Sequence, residues 1–205
     1  MTNEKTAYQK YEEQLKKAKE EPAPPRLLLQ SCCGPCSTAV LEQLADVFDL
    51  TVLYYNPNIY PKAEYERRRD ELFRLLEQLG QVSYVELPYR EEEYYQQVKG
   101  LEELGEKSKR CYQCYFFRME QAASYAKEHQ FDYFTTTLSI SPYKNSAWIN
   151  EIGKELEQTY GVSYLFSDFK KKGGYRRSLE LSKQYQLYRQ DYCGCVFSWE
   201  KRRKE

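Results

Sequence analysis

The sequence predicts an α/β protein with an open, mainly parallel sheet that is flanked by helices. Short apolar runs typical of buried strands alternate with longer segments typical of helices along most of the chain. Four motif-like segments each follow a predicted strand: CCGPC, NPNIYP, SISPYKN and SDFKKKGG. Because ligands bind at the carboxyl edge of an open α/β sheet, we expect these segments to form the functional site there.

The chain is predicted to begin with a helical extension, residues 1–25, followed by a single α/β domain of residues 26–205. The extension carries a thin apolar stripe among charged residues, and Pro22, Pro24 and Pro25 end it. The stripe alone leaves open whether this helix docks on the domain or frays from it.

Strands and helices alternate through the domain. The predicted strands cover residues 27–29, 50–55, 82–87, 131–138 and 162–166. The predicted helices cover residues 37–48, 63–79, 91–104, 111–127, 146–158 and 176–188. Ser37 is the expected N-cap of the first of these helices.

The composition excludes several classes of protein. The 31 Lys and Arg residues balance the 31 Asp and Glu residues, so the chain is not a uniformly basic nucleic-acid coat. Its mean hydropathy is −0.86, and no apolar run approaches the roughly 18 residues of a transmembrane helix. The N-terminal residues contain no apolar segment typical of a secretory signal. We therefore expect a cytoplasmic protein with no membrane partner.

The seven cysteines are the most informative residues because they occur only in clusters. Cysteines that serve as small core residues would be scattered singly. A disulfide scaffold is disfavoured in the cytoplasm and in a chain of this size. Soft-metal binding or thiol redox chemistry is therefore predicted. The three clusters are Cys32, Cys33 and Cys36; Cys111 and Cys114; and Cys193 and Cys195.

Three kinds of cysteine chemistry fit parts of this pattern. A zinc site would use the CxxC pairs at 33–36 and 111–114, and thioredoxin-like thiol exchange would use the CGPC motif alone. An iron–sulfur cluster takes four thiolates and leaves three for a second metal or a reducible pair. The number of cysteines therefore fits an iron–sulfur cluster better than it fits the other two sites. The only histidine, His129, is expected to be a surface residue.

Five segments resemble a known family when they are taken together. They are LLLQSCCGPCS, YYNPNIYPKAEYERR, KRCYQCYFFRM, TTTLSISPYKN and GGYRRSLELSKQYQLYRQDYCGC, and they extend from about Arg26 to Trp199. The chain with these motifs resembles the QueH-type epoxyqueuosine reductases. The resemblance implies an adenine-nucleotide-hydrolase-like sheet, with a C-terminal helical segment, including the CGC motif, that closes over a cluster.

The resemblance also implies an activity, the last step of queuosine biosynthesis. In this step epoxyqueuosine is reduced to queuosine at the wobble position of a tRNA with a GUN anticodon, without cobalamin. No SGGxDS-type pyrophosphate loop is present, so no use of ATP is expected. Two alternatives stay open: a zinc-stabilised nucleic-acid-binding module without catalysis, and a thiol-disulfide oxidoreductase.

The ligands implied by the resemblance separate the cysteines into two groups. Four would hold a [4Fe-4S] cluster, while Cys193 and Cys195 would form a redox disulfide or bind a second iron together with Cys36. An external electron donor is implied as a partner. The four residues assigned to the cluster are Cys32, Cys33, Cys111 and Cys114.

The implied reaction requires further groups. Converting an epoxide to an alkene consumes two electrons and two protons and releases water, and a [4Fe-4S] cluster delivers one electron at a time, so a second centre is useful. Asp168 is expected to be catalytic together with the CGC thiols. Asp191 and Tyr192 are further candidates for proton donation.

Binding of tRNA would require cations for phosphates and flat side chains for unstacked bases. Tyr143, Tyr175 and Tyr192 lie in or beside the motif segments and are expected to stack. The segment after the last predicted strand is expected to contact phosphates through Lys170, Lys171, Lys172, Arg176 and Arg177. Two further basic clusters are Arg67–Arg69 and Lys201–Lys204.

Overall fold

Five parallel strands form one sheet in the computed structural model, which describes residues 5–80 and 82–204. The strands are β1 (Arg26–Ser31), β2 (Asp49–Tyr54), β3 (Ser83–Glu86), β4 (Tyr133–Thr136) and β5 (Ser163–Tyr164). Their order in the sheet is β3-β2-β1-β4-β5, and each neighbouring pair is parallel. The predicted fold class is therefore confirmed.

Eight α-helices lie within the described residues. They are α1 (Ala7–Glu20), α2 (Gly34–Leu44), α3 (Lys62–Leu79), α4 (Glu91–Gln97), α5 (Lys109–Glu128), α6 (Ser146–Tyr160), α7 (Gly174–Gln184) and α8 (Val196–Lys204). Two 3₁₀ helices, Thr137–Ile140 and Lys171–Gly173, follow β4 and precede α7. None of the helices in this part of the chain combines the length and the apolarity needed to cross a membrane.

The crevice of the sheet lies between β1 and β4. Strand β1 is central, and its Leu29 pairs with Val52 of β2 on one side and with Thr135 of β4 on the other. The chain moves outward from β1 first to β2 and β3, and then to β4 and β5. Where the order reverses in this way, the loops after the two central strands separate and leave room for a ligand. The CCGPC segment follows β1, and SISPYKN follows β4.

Both faces of the sheet are buried. Because side chains alternate across a strand, Leu27 and Leu29 face one layer of helices and Leu28 faces the other. The first layer contains α1, α2, α3 and α7, and the second contains α4, α5 and α6. Burial on both faces explains why the strands are nearly continuous apolar runs.

Helix α1 docks on the sheet. Its capping box at Thr6 fixes the start of the helix, and the ring of Tyr11 packs edge-on against Phe169 at 5.6 Å. Gln14 Nε2 donates to the carbonyl of Tyr164 at 2.8 Å, and its Oε1 accepts from the backbone N–H of Phe166 at 3.0 Å. The apolar stripe is therefore a packing face. Residues 1–4 of the predicted extension lie outside the described residues.

The first cysteine segment begins a helix earlier than predicted. Helix α2 starts at Gly34 with Cys33 as its N-cap, so the expectation that Ser37 caps the helix is wrong. Pro35 lies in the first turn, where its missing N–H leaves no hydrogen bond unmade. The Ser37 hydroxyl instead donates to the Cys33 carbonyl at 2.9 Å.

The C-terminal part also differs from the prediction. The helix predicted for residues 176–188 ends at Gln184, because Gln186 adopts a left-handed conformation with φ of 51°. Residues 185–195 are irregular, and α8 follows them without having been predicted as a separate element. This segment covers the cysteines, as the resemblance implied: Gln190 Nε2 donates to Cys33 Sγ at 3.1 Å.

Candidate active site

Three separate parts of the fold bring the cysteines to the carboxyl edge of the sheet. The first cluster follows β1 and continues into the first turn of α2. Cys111 and Cys114 lie in the first turns of α5, three residues apart and thus on one helical face. Cys193 and Cys195 immediately precede α8. The predicted convergence of the cysteine motifs therefore occurs, although the chain separates them by up to 163 positions.

Cys32, Cys33 and Cys36 form a group that suits a soft metal. Their sulfur atoms all lie within 4.8 Å of one another, and Cys32 Sγ is 3.7 Å from Cys33 Sγ. Cys32 and Cys33 are 8% and 1% exposed, respectively. Thiolates are the ligands preferred by iron–sulfur clusters and by zinc, so this all-sulfur donor set fits either group.

The thiols of this group differ in their acidity. Hydrogen bonds from Cys33 and Cys36 hold the pKa of Cys32 well below its ordinary value. The positive charges of Arg118 and Lys144 lower this pKa further, whereas burial opposes the decrease. Burial raises the pKa of Cys33 to about 12. One thiolate is therefore favoured within the group, with its neighbours as donors to it.

The other four cysteines lie close enough to affect one another. Burial raises the pKa of Cys114 to about 12; Arg118 opposes this rise, and the charges of Cys193 and Cys195 add to it. Burial also raises the pKa of Cys111, and Cys193 contributes in the same direction. The CGC pair therefore lies beside α5, whereas the structure places Cys36 with Cys32 and Cys33. No disulfide bond joins any two of the seven cysteines in the structure.

A cavity of about 310 Å³ connects the three clusters. Its wall includes one or two sulfur-bearing residues from each of them: Cys32, Cys36, Cys111 and Cys193. Tyr115, Tyr143, Tyr175 and Tyr192 supply flat side chains to the same wall. Tyr143 is 72% exposed although it lines the cavity, so it lies on the rim. The volume is at the lower end of small-molecule sites and suits a nucleoside-sized group.

Two cations at the site were not identified from the sequence as functional. Lys144 lines the cavity; burial lowers its pKa, but electrostatic interaction with the nearby cysteines Cys193, Cys32 and Cys36 outweighs burial and raises it. Arg118 is 3% exposed, and its Nη2 donates to Asn56 Oδ1 at 2.6 Å. Both residues have a signal in the sequence. Lys144 belongs to the SISPYKN motif, and Arg118 lies one helical turn after Cys114.

A third buried cation, Arg68 of α3, holds the CGC loop in place. Its Nε pairs with Glu64 at 2.7 Å, and its Nη1 donates to the carbonyl of Cys193 at 3.2 Å. Gly194 has a φ of 125°, and a Cβ at this position would lie 2.9 Å from Arg68 Nη1. The glycine between the two cysteines is therefore required both by the backbone and by the guanidinium that packs against it.

Some of the predicted site residues lie outside the cavity wall. Asp168 pairs with Lys170, which also donates to Ser146 Oγ at 3.0 Å. Lys172 pairs with Glu12 of α1 at 2.7 Å. The two arginines in the first turn of α7 also have acidic partners: Arg176 pairs with Glu180 at 3.2 Å and Arg177 with Glu42 at 2.6 Å.

Three other candidates are placed as follows. Asp191 and Tyr192 line the cavity; Asp191 accepts from Arg202 at 3.0 Å, and the Tyr192 hydroxyl donates to the Tyr60 carbonyl at 2.6 Å. His129 is exposed at the end of α5 and stacks on Tyr125 with ring centroids 3.9 Å apart.

Comparison with known proteins identifies similar sequences over nearly the whole chain. A model of the family described as "Epoxyqueuosine reductase QueH" matches residues 27–201. The epoxyqueuosine reductase QueH of Streptococcus pyogenes serotype M1 is 43% identical over 202 residues, covering 96% of this chain and 79% of the relative. That of Staphylococcus aureus (strain Mu50) is 41% identical over 209 residues, covering 97% and 86%.

Among solved structures, the fold is similar to that of the U34-tRNA thiolase NcsA from Methanococcus maripaludis with its [4Fe-4S] cluster. The TM-score is 0.54 at 14% identity, and the match covers 95% of this chain and 70% of the other. At this identity the likeness concerns the fold alone, and it agrees with the expected nucleotide-hydrolase-like sheet.

Proposed function

Because the chain belongs to the epoxyqueuosine reductase QueH family, we propose that it reduces epoxyqueuosine in tRNA to queuosine. Its enzyme class is thus oxidoreductase, as the sequence motifs indicated. The observation that carries the proposal is the assembly of three cysteine clusters around one cavity at the carboxyl edge of the sheet. A tRNA substrate with a GUN anticodon, a cytoplasmic location and an external electron donor are parts of the same proposal.

The cofactor we propose is a [4Fe-4S] cluster held by Cys32, Cys33, Cys111 and Cys114. The all-thiol donor set supports it, and two of these residues belong to the group whose sulfur atoms lie within 4.8 Å of one another. When bound, such a cluster supplies single electrons at low potential. Cys36, Cys193 and Cys195 are left for a second iron, or the CGC pair for a redox disulfide. The proposal includes neither cobalamin nor ATP.

The chain's own residues must supply protons, since opening the epoxide and releasing water consumes two of them. We assign one proton to the ammonium group of Lys144. It shares the cavity wall with Cys32, Cys36 and Cys193, where the epoxide must reach the electron source. Of the sequence-based candidates, Asp168 pairs with Lys170 outside the wall. Asp191 and Tyr192 line the wall, but Asp191 pairs with Arg202 and the Tyr192 hydroxyl donates to the Tyr60 carbonyl.

The tyrosines of the cavity wall are proposed to bind the modified nucleobase. Tyr143 is positioned on the rim to stack on a base as it enters, and Tyr175 and Tyr192 line the wall behind it. Stacking on aromatic side chains is the usual means of holding an unpaired RNA base, and it also excludes water from the reacting face. Next to Tyr175, the segment of Lys170–Lys172 with Arg176 and Arg177 stays a candidate for phosphate contacts.

The central test is an anaerobic preparation of the whole protein. We expect about four irons and four sulfides per chain, as a [4Fe-4S] cluster requires, and conversion of epoxyqueuosine to queuosine in tRNA with a chemical reductant. A colourless protein with one bound zinc and no turnover would support a zinc-stabilised binding module instead. Turnover of dithiol substrates that survives iron chelation would support a thiol-disulfide oxidoreductase.

The role of Lys144 is tested by Lys144→Met. We expect kcat to fall by at least about 100-fold, the usual loss when a proton donor is removed, while iron and sulfide content stay unchanged. Lys144→Arg keeps the positive charge, and we expect it to retain part of the activity. Lys154→Met, on the exposed side of α6, is the matched control and should leave kcat unchanged. An unaltered kcat in Lys144→Met would remove this residue from the mechanism.

A further inference from the structure

The last helix, α8, ends in a run of exposed cations beside the cavity. We propose that α8 is a phosphate-binding surface that holds the backbone of the tRNA while the modified nucleotide occupies the cavity. This inference rests on the proposed function, because it takes the same tRNA as the ligand. The residues of the surface are Lys201, Arg202, Arg203 and Lys204, all of which are exposed.

The position of α8 connects it to the site. The helix begins at Val196, directly after Cys195, so its first turn is covalently joined to the CGC motif. Its last turn is joined to the cavity as well, because Arg202 Nε donates to Asp191 Oδ2 at 3.0 Å and Asp191 lines the cavity wall. Arg202 therefore lies next to the cavity wall, and the neighbouring cations of α8 continue from it along the same turn.

Two of the charges of α8, those of Arg203 and Lys204, are available for a ligand. Within the part of the chain that the structure describes, neither Arg203 nor Lys204 has a carboxylate partner. The guanidinium of Arg203 lies over the ring of Trp199, 4.7 Å from its centroid. In the sequence, Lys201 to Lys204 are four consecutive cations, flanked by Glu200 and Glu205.

The basic segment before and within α7 is different in this respect. Lys170, Lys172, Arg176 and Arg177 each pair with an acid of this chain. A phosphate would have to displace those carboxylates, which reduces the free energy gained from each contact. Arg202 of α8 also pairs with an acid, Asp191. Among the described residues, α8 thus offers two cations without a carboxylate partner, Arg203 and Lys204, whereas the α7 segment offers one, Lys171.

The surroundings of α8 favour RNA over an acidic protein. Next to Arg203, the ring of Trp199 packs edge-on against Tyr60 at 5.2 Å and adds aromatic surface to the cations. Cations interleaved with aromatic rings are typical of surfaces that bind single-stranded nucleic acid. Guanidinium groups also match the geometry of phosphate oxygens. An acidic electron-carrier protein is the competing ligand, and the experiment below separates the two.

The test compares two triple variants of the whole protein with equal loss of charge. Arg202→Gln, Arg203→Gln and Lys204→Gln remove cations from α8. Lys16→Gln, Lys17→Gln and Lys19→Gln remove exposed cations from the end of α1, which leads into the amino end of β1 at the opposite edge of the sheet. Thermal melting of both variants shows that they are folded, and Arg202→Lys with Arg203→Lys tests whether charge alone suffices.

We measure the Kd for tRNA at several salt concentrations. For the α8 variant we expect binding about 10-fold to 30-fold weaker at low salt, and a slope of log Kd against log salt that is smaller by about 2 to 3. The α1 variant should bind like the parent, and the charge-conserving variant should keep the salt slope of the parent because it retains every positive charge. Reduction of the free epoxyqueuosine nucleoside, driven by a chemical reductant, should be the same in all of them.

Equal tRNA affinity and equal salt slope in the α8 variant would overturn the proposal. An altered melting temperature with unchanged affinity would mean that the cations only complement the helix dipole. A raised KM for a protein electron donor with unchanged tRNA affinity would assign α8 to that donor, which also overturns it. The binding measurement needs no turnover. A parent protein that binds tRNA through α8 but reduces neither substrate would refute the proposed function and leave this inference standing.

Discussion

Gly174, the first residue of α7, lies so close to the preceding loop that no larger residue fits. A Cβ at this position would be 1.9 Å from the carbonyl oxygen of Phe169 and 3.5 Å from Ile140 Cδ1. Its φ of −57° is ordinary for a helix, so contact with the loop is the only obstacle to a side chain. This approach holds the loop after β5 against the carboxyl edge of the sheet, where the cavity is formed.

We expect Gly174→Ala to lower the free energy of unfolding by about 1 to 3 kcal/mol, since the Phe169 carbonyl must move to admit a methyl group. Gly105→Ala is the control, because no atom lies within 4 Å of a Cβ at that position. Denaturant unfolding measures both. Equal stability of the two variants would mean that the loop shifts without cost.

At the scale of single residues, the functional role of the rare and clustered cysteines could be predicted from the sequence. The ion pairs of the lysines and arginines could not. Cysteines in clusters are informative in themselves, so all seven were singled out from the sequence. The role of a lysine or arginine depends on what faces it. Lys144 faces the cavity and Lys172 faces Glu12, yet nothing in their local sequence separates the two cases.

Among the helices and strands, α1 makes a side-chain contact with the sheet that could not be predicted from its sequence. The carboxamide of Gln14 makes two hydrogen bonds to the outer edge of the sheet around β5, one with Tyr164 and one with Phe166. Both backbone groups face away from β4 and would otherwise depend on water. The side chain thus substitutes for a neighbouring strand over a short distance.

We expect Gln14→Ala to destabilise the fold by about 1 to 3 kcal/mol, because two hydrogen bonds are lost and two partly buried backbone groups are left without a partner. Lys17→Ala, on the exposed face of the same helix, should be within about 0.5 kcal/mol of the parent. Chemical denaturation monitored by circular dichroism tests both. A loss in Gln14→Ala no larger than in Lys17→Ala would show that water replaces the amide.

Most helices and strands were predictable from apolar periodicity. Some predicted helices end earlier than expected, where a residue adopts a left-handed backbone conformation. The helix predicted to reach residue 104 ends at Gln97, and Gly100 beyond it has a left-handed φ of 80°. Helix α8 carries too few apolar residues to be recognised from an apolar pattern. Its position depends instead on contacts with residues around the site. Arg110 covers the ring of its Phe197 at 4.0 Å. Contacts of this kind are invisible to a periodic pattern.

For the whole molecule, the proposed cluster ligands connect parts of the fold that are distant in sequence. Cys32 and Cys33 follow the central strand, while Cys111 and Cys114 begin a helix in the opposite layer. A group bound by all four would therefore join the sheet to α5. The parallel sheet and the edge that carries the site were predictable from the order of elements. The distances among the seven cysteines were not, because the spacing along the chain does not determine them.

We expect Cys114→Ala to lose iron and sulfide and to lower the melting temperature, since binding free energy at a structural cluster is also folding free energy. Cys193→Ser should keep the cluster absorbance and lose the activity. Iron analysis, visible absorbance and thermal melting are measured on both variants under anaerobic conditions.

Full iron and sulfide in Cys114→Ala would contradict the ligand assignment. Loss of all iron from Cys193→Ser would make Cys193 a ligand of the cluster, in place of Cys32 or Cys33. Either result leaves the fold described above unchanged and alters only which thiols hold the cofactor.

The hydrogen bonds of Gln14 also bear on how separate copies of this chain behave toward one another. An uncovered outer strand is a template on which a second chain can extend the sheet, and such extension is a common route to aggregation. Here the bonding positions of Tyr164 and Phe166 are already taken, from within the same chain, by a helix that precedes the first strand. The N-terminal helix therefore blocks pairing of this edge strand with another chain, in addition to packing on the sheet. A chain shortened to begin at β1 would keep every cysteine, but it would expose the unpaired backbone groups around β5, on which a second chain could extend the sheet.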